Sequence, residues 1–134
     1  DRGIVVGKNG ALELFLSARK MSKINNCYSE FLRATGAIGS CYHCLFRDDI
    51  AVKIYEKYLL EMRREKKYLS LMTTCRDLGI ALSSLRDYKN AKKYLKESIR
   101  YAEVVGDNWC IGIAKQKLGL VFLGLGDCDK GLKN

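Results

Sequence analysis

The sequence predicts an all-α fold, a solenoid of antiparallel helix pairs, on three observations. The 134 residues contain no proline, so long helices are spared their strongest breaker. A shift of 40 residues superposes the chain on itself in one ungapped register. Within each unit the apolar residues recur at steps of three and four, the spacing of one helix face.

The register rests on columns rather than on overall similarity. Ile38-Gly39, Leu78-Gly79 and Leu118-Gly119 align, and with them Tyr42, Leu82 and Phe122, then Leu45, Leu85 and Leu125. Upstream the same shift brings together Phe31, Leu71 and Ile111, and the small residues Ala34, Thr74 and Ala114. Ala11, Ala51, Ala91 and Gly131 form another column, followed by Phe15, Tyr55 and Leu95. A helix pair cannot bury both of its apolar faces alone, so repetition at this period implies stacked pairs.

Taken in order, the elements are helices over 8–23, 27–45, 48–64, 68–85, 88–104 and 108–125, with a further helix beginning in 128–134. The stripe Phe31, Ala34, Ile38, Tyr42 and Leu45 defines the helix over 27–45, and Ala51, Tyr55, Tyr58 and Met62 define its partner. Asp87 and Asp127 are placed as N-caps, where a carboxylate accepts from helix-start amides. Gly106-Asp107 supplies a left-handed cap followed by a helix start, and Asn25-Asn26 can serve similarly. Glu65-Lys66-Lys67 offers no clear cap. Gly39, Gly79 and Gly119, with Ala51 and Ala91, remove side chains where paired axes approach. The organisation is one solenoid domain over 1–134: a partial repeat 1–26, repeats 27–66 and 67–106, and a partial repeat 107–134. The pattern is already in mid-phase at Asp1 and stops within a repeat at Asn134, as expected of part of a longer protein.

Composition narrows the function classes. Apolar residues are 48% and charged residues 29% of the chain, a globular balance. No apolar run approaches the ~18 residues that span a bilayer. Six cysteines would permit three disulfides by count. Most fall where repeat neighbours are small, so the favoured reading is reduced, buried thiols in a cytoplasmic setting. The formal net charge is +9, partly from Arg63-Arg64-Glu65-Lys66-Lys67 and partly from Lys89, Lys92, Lys93 and Lys96, which recur on the outer face of a second helix. The bland reading is a solvated face; the sharper one is attraction to an acidic partner, whether a protein tail, an acidic peptide or nucleic acid. Nucleic acid is the weakest of these, because no aromatic platform interleaves with the cations.

Apparent catalytic and metal signatures are explained by plain packing. Cys41-Tyr42-His43-Cys44 invites a zinc reading, but the chain holds one histidine and no second cysteine pair, and Cys41 aligns with Ala81 and Val121. A Cys and His adjacent in sequence lack the spatial arrangement of a nucleophile and base. Gly3, Gly7 and Gly10 do not lie between a strand and a helix, so no phosphate loop is indicated, and Gly119, Gly124 and Gly126 are accounted for by packing and a turn. The expectation is no enzyme, no cofactor and no metal.

The repeat resembles the tetratricopeptide (TPR) family. Leu78-Gly79, Leu82, Tyr88, Ala91 and Leu95 follow that family's pattern, Leu118-Gly119, Phe122, Gly126-Asp127 and Gly131 follow it again, and Ile38-Gly39, Tyr42, Ala51 and Tyr55 more loosely. The closing proline is absent, and the period is 40 rather than the usual ~34. Lengthened repeats of this kind are similar to those of Leu-Gly-Asn adaptors, kinesin light chains and the TPR subunits that dock outer dynein arms in cilia. Ser98 to Trp109 is the stretch most like that subgroup.

The resemblance implies a right-handed superhelix and a non-catalytic scaffold or adaptor. Such a scaffold binds a partner peptide or helix in its concave groove, in a cytoskeletal or ciliary assembly. It assigns the groove to the first helix of each pair, hence to Arg33, Ser40 and His43, to Arg76, Asp77, Ile80 and Ser83, and to Gln116, Lys117 and Leu120. The carboxylate clamp of some family members is not reproduced, since Gly36, Ala37, Ser40 and Asp77 occupy its positions. Apolar Ile80 and Leu120 favour a helical or extended peptide. The alternative is a structural or regulatory TPR segment attached to an enzyme or a nucleic-acid-binding module elsewhere in a larger protein.

Overall fold

The structure, a computed structural model, describes residues 10–126, and every regular element within them is an α-helix. In order these are α1 Ala11–Ile24, α2 Tyr28–Cys44, α3 Asp48–Arg64, α4 Tyr68–Ser84, α5 Tyr88–Val105 and α6 Asn108–Gly124. From α2 onward the sequence-based spans agree to within a residue at each end; α1 begins at Ala11 instead of 8. The helix predicted over 128–134, the Asp127 cap and the Gly131 column lie outside the described residues.

The backbone repeats at half the period of the side chains. Helices α2 to α6 start at residues 28, 48, 68, 88 and 108, a spacing of 20. The residue that turns the chain recurs at the same spacing in the left-handed region: Asn26 (φ 57°), Phe46 (60°), Lys66 (53°), Arg86 (65°), Gly106 (84°) and Gly126 (79°). Each of the five turns between described helices closes with the same bond, an amide donating five residues back. These bonds run from Cys27 N to Ser22 O at 2.8 Å, Arg47 N to Tyr42 O at 2.8 Å, Lys67 N to Met62 O at 3.1 Å, Asp87 N to Leu82 O at 2.9 Å and Asp107 N to Ala102 O at 3.0 Å. One turn design therefore serves both kinds of junction, within a pair and between pairs. Three of its six left-handed positions, Phe46, Lys66 and Arg86, hold side chains that avoid that conformation, which is why only Asn26, Gly106 and Gly126 announced a turn in the sequence.

The caps form as the residue types require. Asp87 accepts from the Asn90 amide at 3.4 Å and Asp107 from the Cys110 amide at 3.0 Å. Lys67, at the N-cap of α4, makes no side-chain cap, as the sequence implied.

The chain divides into two compact units, with the boundary after Tyr55, inside α3. In the first, α1 packs on α2. Buried Leu12, Ile38 and Cys41 form a core there, joined by Ala11, Leu16, Tyr42 and Ile54. Gly39 lies under the Tyr55 ring so closely that an added Cβ would sit 2.5 Å from it.

In the second unit α4 packs on α5 and α5 on α6. The contacts run antiparallel: Gly79, late in α4, faces Ala91 early in α5, while Ser98, later in α5, donates to the Met72 carbonyl early in α4 at 2.8 Å. A Cβ on Gly79 would lie 2.7 Å from Leu95 Cγ and 3.3 Å from the Ala91 carbonyl. Gly124 gives the same clearance to the Tyr88 ring. The predicted small columns at Gly39, Gly79, Ala51 and Ala91 thus mark helix approaches. Gly119 differs: no described atom lies within 4 Å of its Cβ position. Leu71, Leu78, Leu95 and Val121 are essentially inaccessible, each burial contributing about 2 kcal/mol before entropic costs.

Candidate partner-binding surface

Two matching rows of side chains run along α4 and α6, which touch each other in the second unit. Arg76, Ile80 and Ser83 lie at steps of four and three on α4, and Gln116, Leu120 and Leu123 hold the equivalent places on α6. This spacing puts each row on one helix face. Gln116, Leu120 and Leu123 are exposed, and Ile80, Ser83 and Lys117 are half-buried. Leu123, 57% exposed, was absent from the sequence-based set, although repeat alignment with Ser83 could have flagged it. Beside this row the open space at Gly119 leaves the α6 surface low. Together they offer an apolar strip with polar ends, suited to a peptide side chain every turn or so.

The charged members are less available than their sequence positions suggested. Arg76 Nε lies 3.3 Å from Asp77 Oδ1, and its Nη1 points at Cys110 Sγ at 3.8 Å. Its guanidinium therefore bridges α4 and α6, and its side chain is only 19% exposed. Asp77, 28% exposed, is correspondingly engaged.

In the first unit Arg33 is well exposed and pairs with Glu30 at 3.1 Å, a surface bridge contributing at most about 1 kcal/mol. Ser40 is exposed. His43 Nδ1 meets Asp48 Oδ1 at 2.5 Å, and Asp48 is buried at the start of α3. That ring links the end of α2 to the beginning of α3.

The cysteines divide. Cys41, Cys75 and Cys110 are buried, whereas Cys27 and Cys44 are exposed, which corrects the expectation of core thiols for those two. Burial, then the neighbouring Cys44, push the Cys41 thiol up. Burial and then Glu97 push that of Cys75 up to about 12. Nucleophilic thiols need the opposite environment. Among the described residues no group of three or more His, Cys, Asp or Glu is placed to hold a metal ion, and no helix is long and apolar enough to cross a membrane.

The largest departure from the sequence reading is a buried polar cluster. Glu97 is 7% exposed and receives Arg63 Nη2 at 2.6 Å, Arg63 Nε at 3.1 Å and the Tyr101 hydroxyl at 3.2 Å. Arg63 belongs to a run that reads as a solvated basic patch, yet its guanidinium ties α3 to α5. Desolvation opposes its charge, and the Glu97 carboxylate more than restores it. Lys92 also leaves the outer face: its ammonium lies 5.9 Å from the Phe122 ring centre on α6.

The chain matches no family model, and no curated protein matches it.

Proposed function

We propose that the chain is a TPR-like protein-interaction scaffold, coiled as a right-handed superhelix, that holds a partner peptide or helix on the α4 and α6 rows. The observation that carries the reading is the pairing of Arg76, Ile80 and Ser83 with Gln116, Leu120 and Leu123 at one repeat's separation on touching helices. Exposed leucines flanked by Gln116 and Lys117 are a pattern that a regular peptide can follow residue by residue. The scaffold is non-catalytic in this reading, which the protonated, buried Cys41 and Cys75 support. The proposed setting is a reducing compartment, in a cytoskeletal or ciliary assembly of the kind the repeat resemblance implies.

The test is affinity capture with cross-linking from the native source. The wild type is compared with a Leu120→Glu, Leu123→Glu variant and with a Lys20→Glu control on α1. Substituting the exposed leucines leaves the core intact, unlike a change at Arg76. A defined protein lost only with the leucine variant supports the scaffold. A partner set unchanged by it overturns the placement on α4 and α6.

A further inference from the structure

We propose that the outward row Lys89, Lys93, Lys96 and Arg100 of α5 is a docking track for an acidic protein segment, separate from the α4 and α6 surface. The four cations follow at steps of four, three and four, within about 60° of arc on a 3.6-residue helix. All four are exposed, and they stand opposite the buried face of Ala91, Leu95, Ser98 and Ala102. The row is about 16 Å long at 1.5 Å per residue.

Three features separate this row from an ordinary solvated face. None of the four forms an ion pair with any described residue, whereas Arg33, Arg47, Arg63 and Arg76 all do. The acid that would quench the row from its own helix, Glu97, is turned to Arg63 and neutralised there. Only Glu103, near the C-terminal end, remains as an exposed acid of α5.

The repeat does not demand the charges, because forty residues earlier the same positions hold Asp49, Lys53, Glu56 and Leu60. Like charges at these spacings disfavour a helix, and no described carboxylate offsets the row.

The chemistry selects a carboxylate-rich polypeptide over nucleic acid. Single strands bind proteins by stacking bases on open aromatic faces. Here Lys93 lies over the Tyr94 ring at 5.3 Å and Arg100 over the Tyr101 ring at 5.8 Å, so the neighbouring faces are occupied by cations. An extended acidic segment of about five residues matches the track in length. Attraction between them is long-ranged at low salt and falls as the Debye length shortens.

The experiment uses fluorescence anisotropy on the full chain at about 50 mM salt, where the Debye length still exceeds 10 Å. The probes are a labelled glutamate peptide of about ten residues and a labelled oligothymidylate of matching charge. A Lys93→Glu, Lys96→Glu variant is compared with the charge-matched Lys20→Glu, Lys23→Glu variant on α1. The expected result is peptide binding weakened about tenfold or more by the α5 variant and less than about twofold by the control. Equal loss in both variants would reduce the effect to net charge and overturn the proposal. Tighter binding of the oligothymidylate, lost with the α5 variant, would reassign the track to nucleic acid. Absence of peptide binding by the wild type would overturn it outright. Circular dichroism checks that both variants keep the wild-type helical signal.

Discussion

Arg63 directs two nitrogens, Nη2 at 2.6 Å and Nε at 3.1 Å, to a single oxygen of Glu97, Oε2, which also receives the Tyr101 hydroxyl. The pair joins the end of α3 to α5 within the second unit. Arg63 keeps its side chain 37% exposed while that of Glu97 is 9% exposed, so the two ends of the bridge are unequal.

Removing one end is therefore not equivalent to removing the other. Arg63→Ala leaves the Glu97 carboxylate buried without its cation, and should cost about 2–3 kcal/mol, less than a fully buried pair because the guanidinium is partly solvated. Replacing both, as Arg63→Met with Glu97→Leu, should recover most of that loss. Urea denaturation of the two variants measures the difference. A double variant no more stable than Arg63→Ala would show that the cluster holds the fold by more than charge compensation.

The same cluster predicts alkaline sensitivity. Burial first, and Glu97 second, hold the Cys75 thiol near 12, against an ordinary 9.0. Between those values the unfolded chain releases a proton that the folded chain retains, so stability falls as pH rises from about 9 towards 12. Tyr94 and Tyr101, also pushed up chiefly by burial, act in the same direction. By pH 10.5 Cys75 alone should account for about 2 kcal/mol. Cys75→Ala should flatten the decline of the thermal midpoint over pH 9–10.5 relative to wild type. Parallel curves would remove Cys75 as the cause.

The left-handed turn residues predict changes of opposite sign. Phe46 sits at φ 60° with its side chain 90% exposed, so little packing is lost in Phe46→Gly and backbone strain is relieved. That variant should be more stable by roughly 0.5–1 kcal/mol. Gly106→Ala introduces a side chain at φ 84° and should destabilise by about 1 kcal/mol. Thermal unfolding of both variants reads the two shifts directly, and movement in the same direction would contradict the strain argument.

Legibility followed the range of the interaction. The Leu78 and Leu118 stripes, the Asp87 and Asp107 caps and the close approach at Gly79 each depend on helical periodicity or on partners a few residues away. The candidate surface was legible as a set of positions on α4 and α6, but not in its availability. Arg76 is held by Asp77 and Cys110, and His43 by Asp48, whereas Leu123 completes a row the residue pattern had left short.

By itself the sequence determined that the regular elements of the described residues are helices, where those helices lie, and that columns such as Leu78 with Leu118 and Ala51 with Ala91 face inward, whereas Leu85 and Leu125, aligned as one apolar column, are exposed. Those properties follow from one residue's relation to its neighbours three and four positions away. Tertiary structure alone decided that Arg63 and Tyr101 converge on buried Glu97, that the α5 cations are left unpaired, and that Phe46, Lys66 and Arg86 take a left-handed backbone. A contact 34 residues apart depends on how two helices are rotated about their axes, which periodicity does not specify. The left-handed residues have a similar origin. Apolar faces on successive helices meet only if the connecting chain reverses within three residues, and burial of those faces outweighs the local preference of whatever residue stands at the turn.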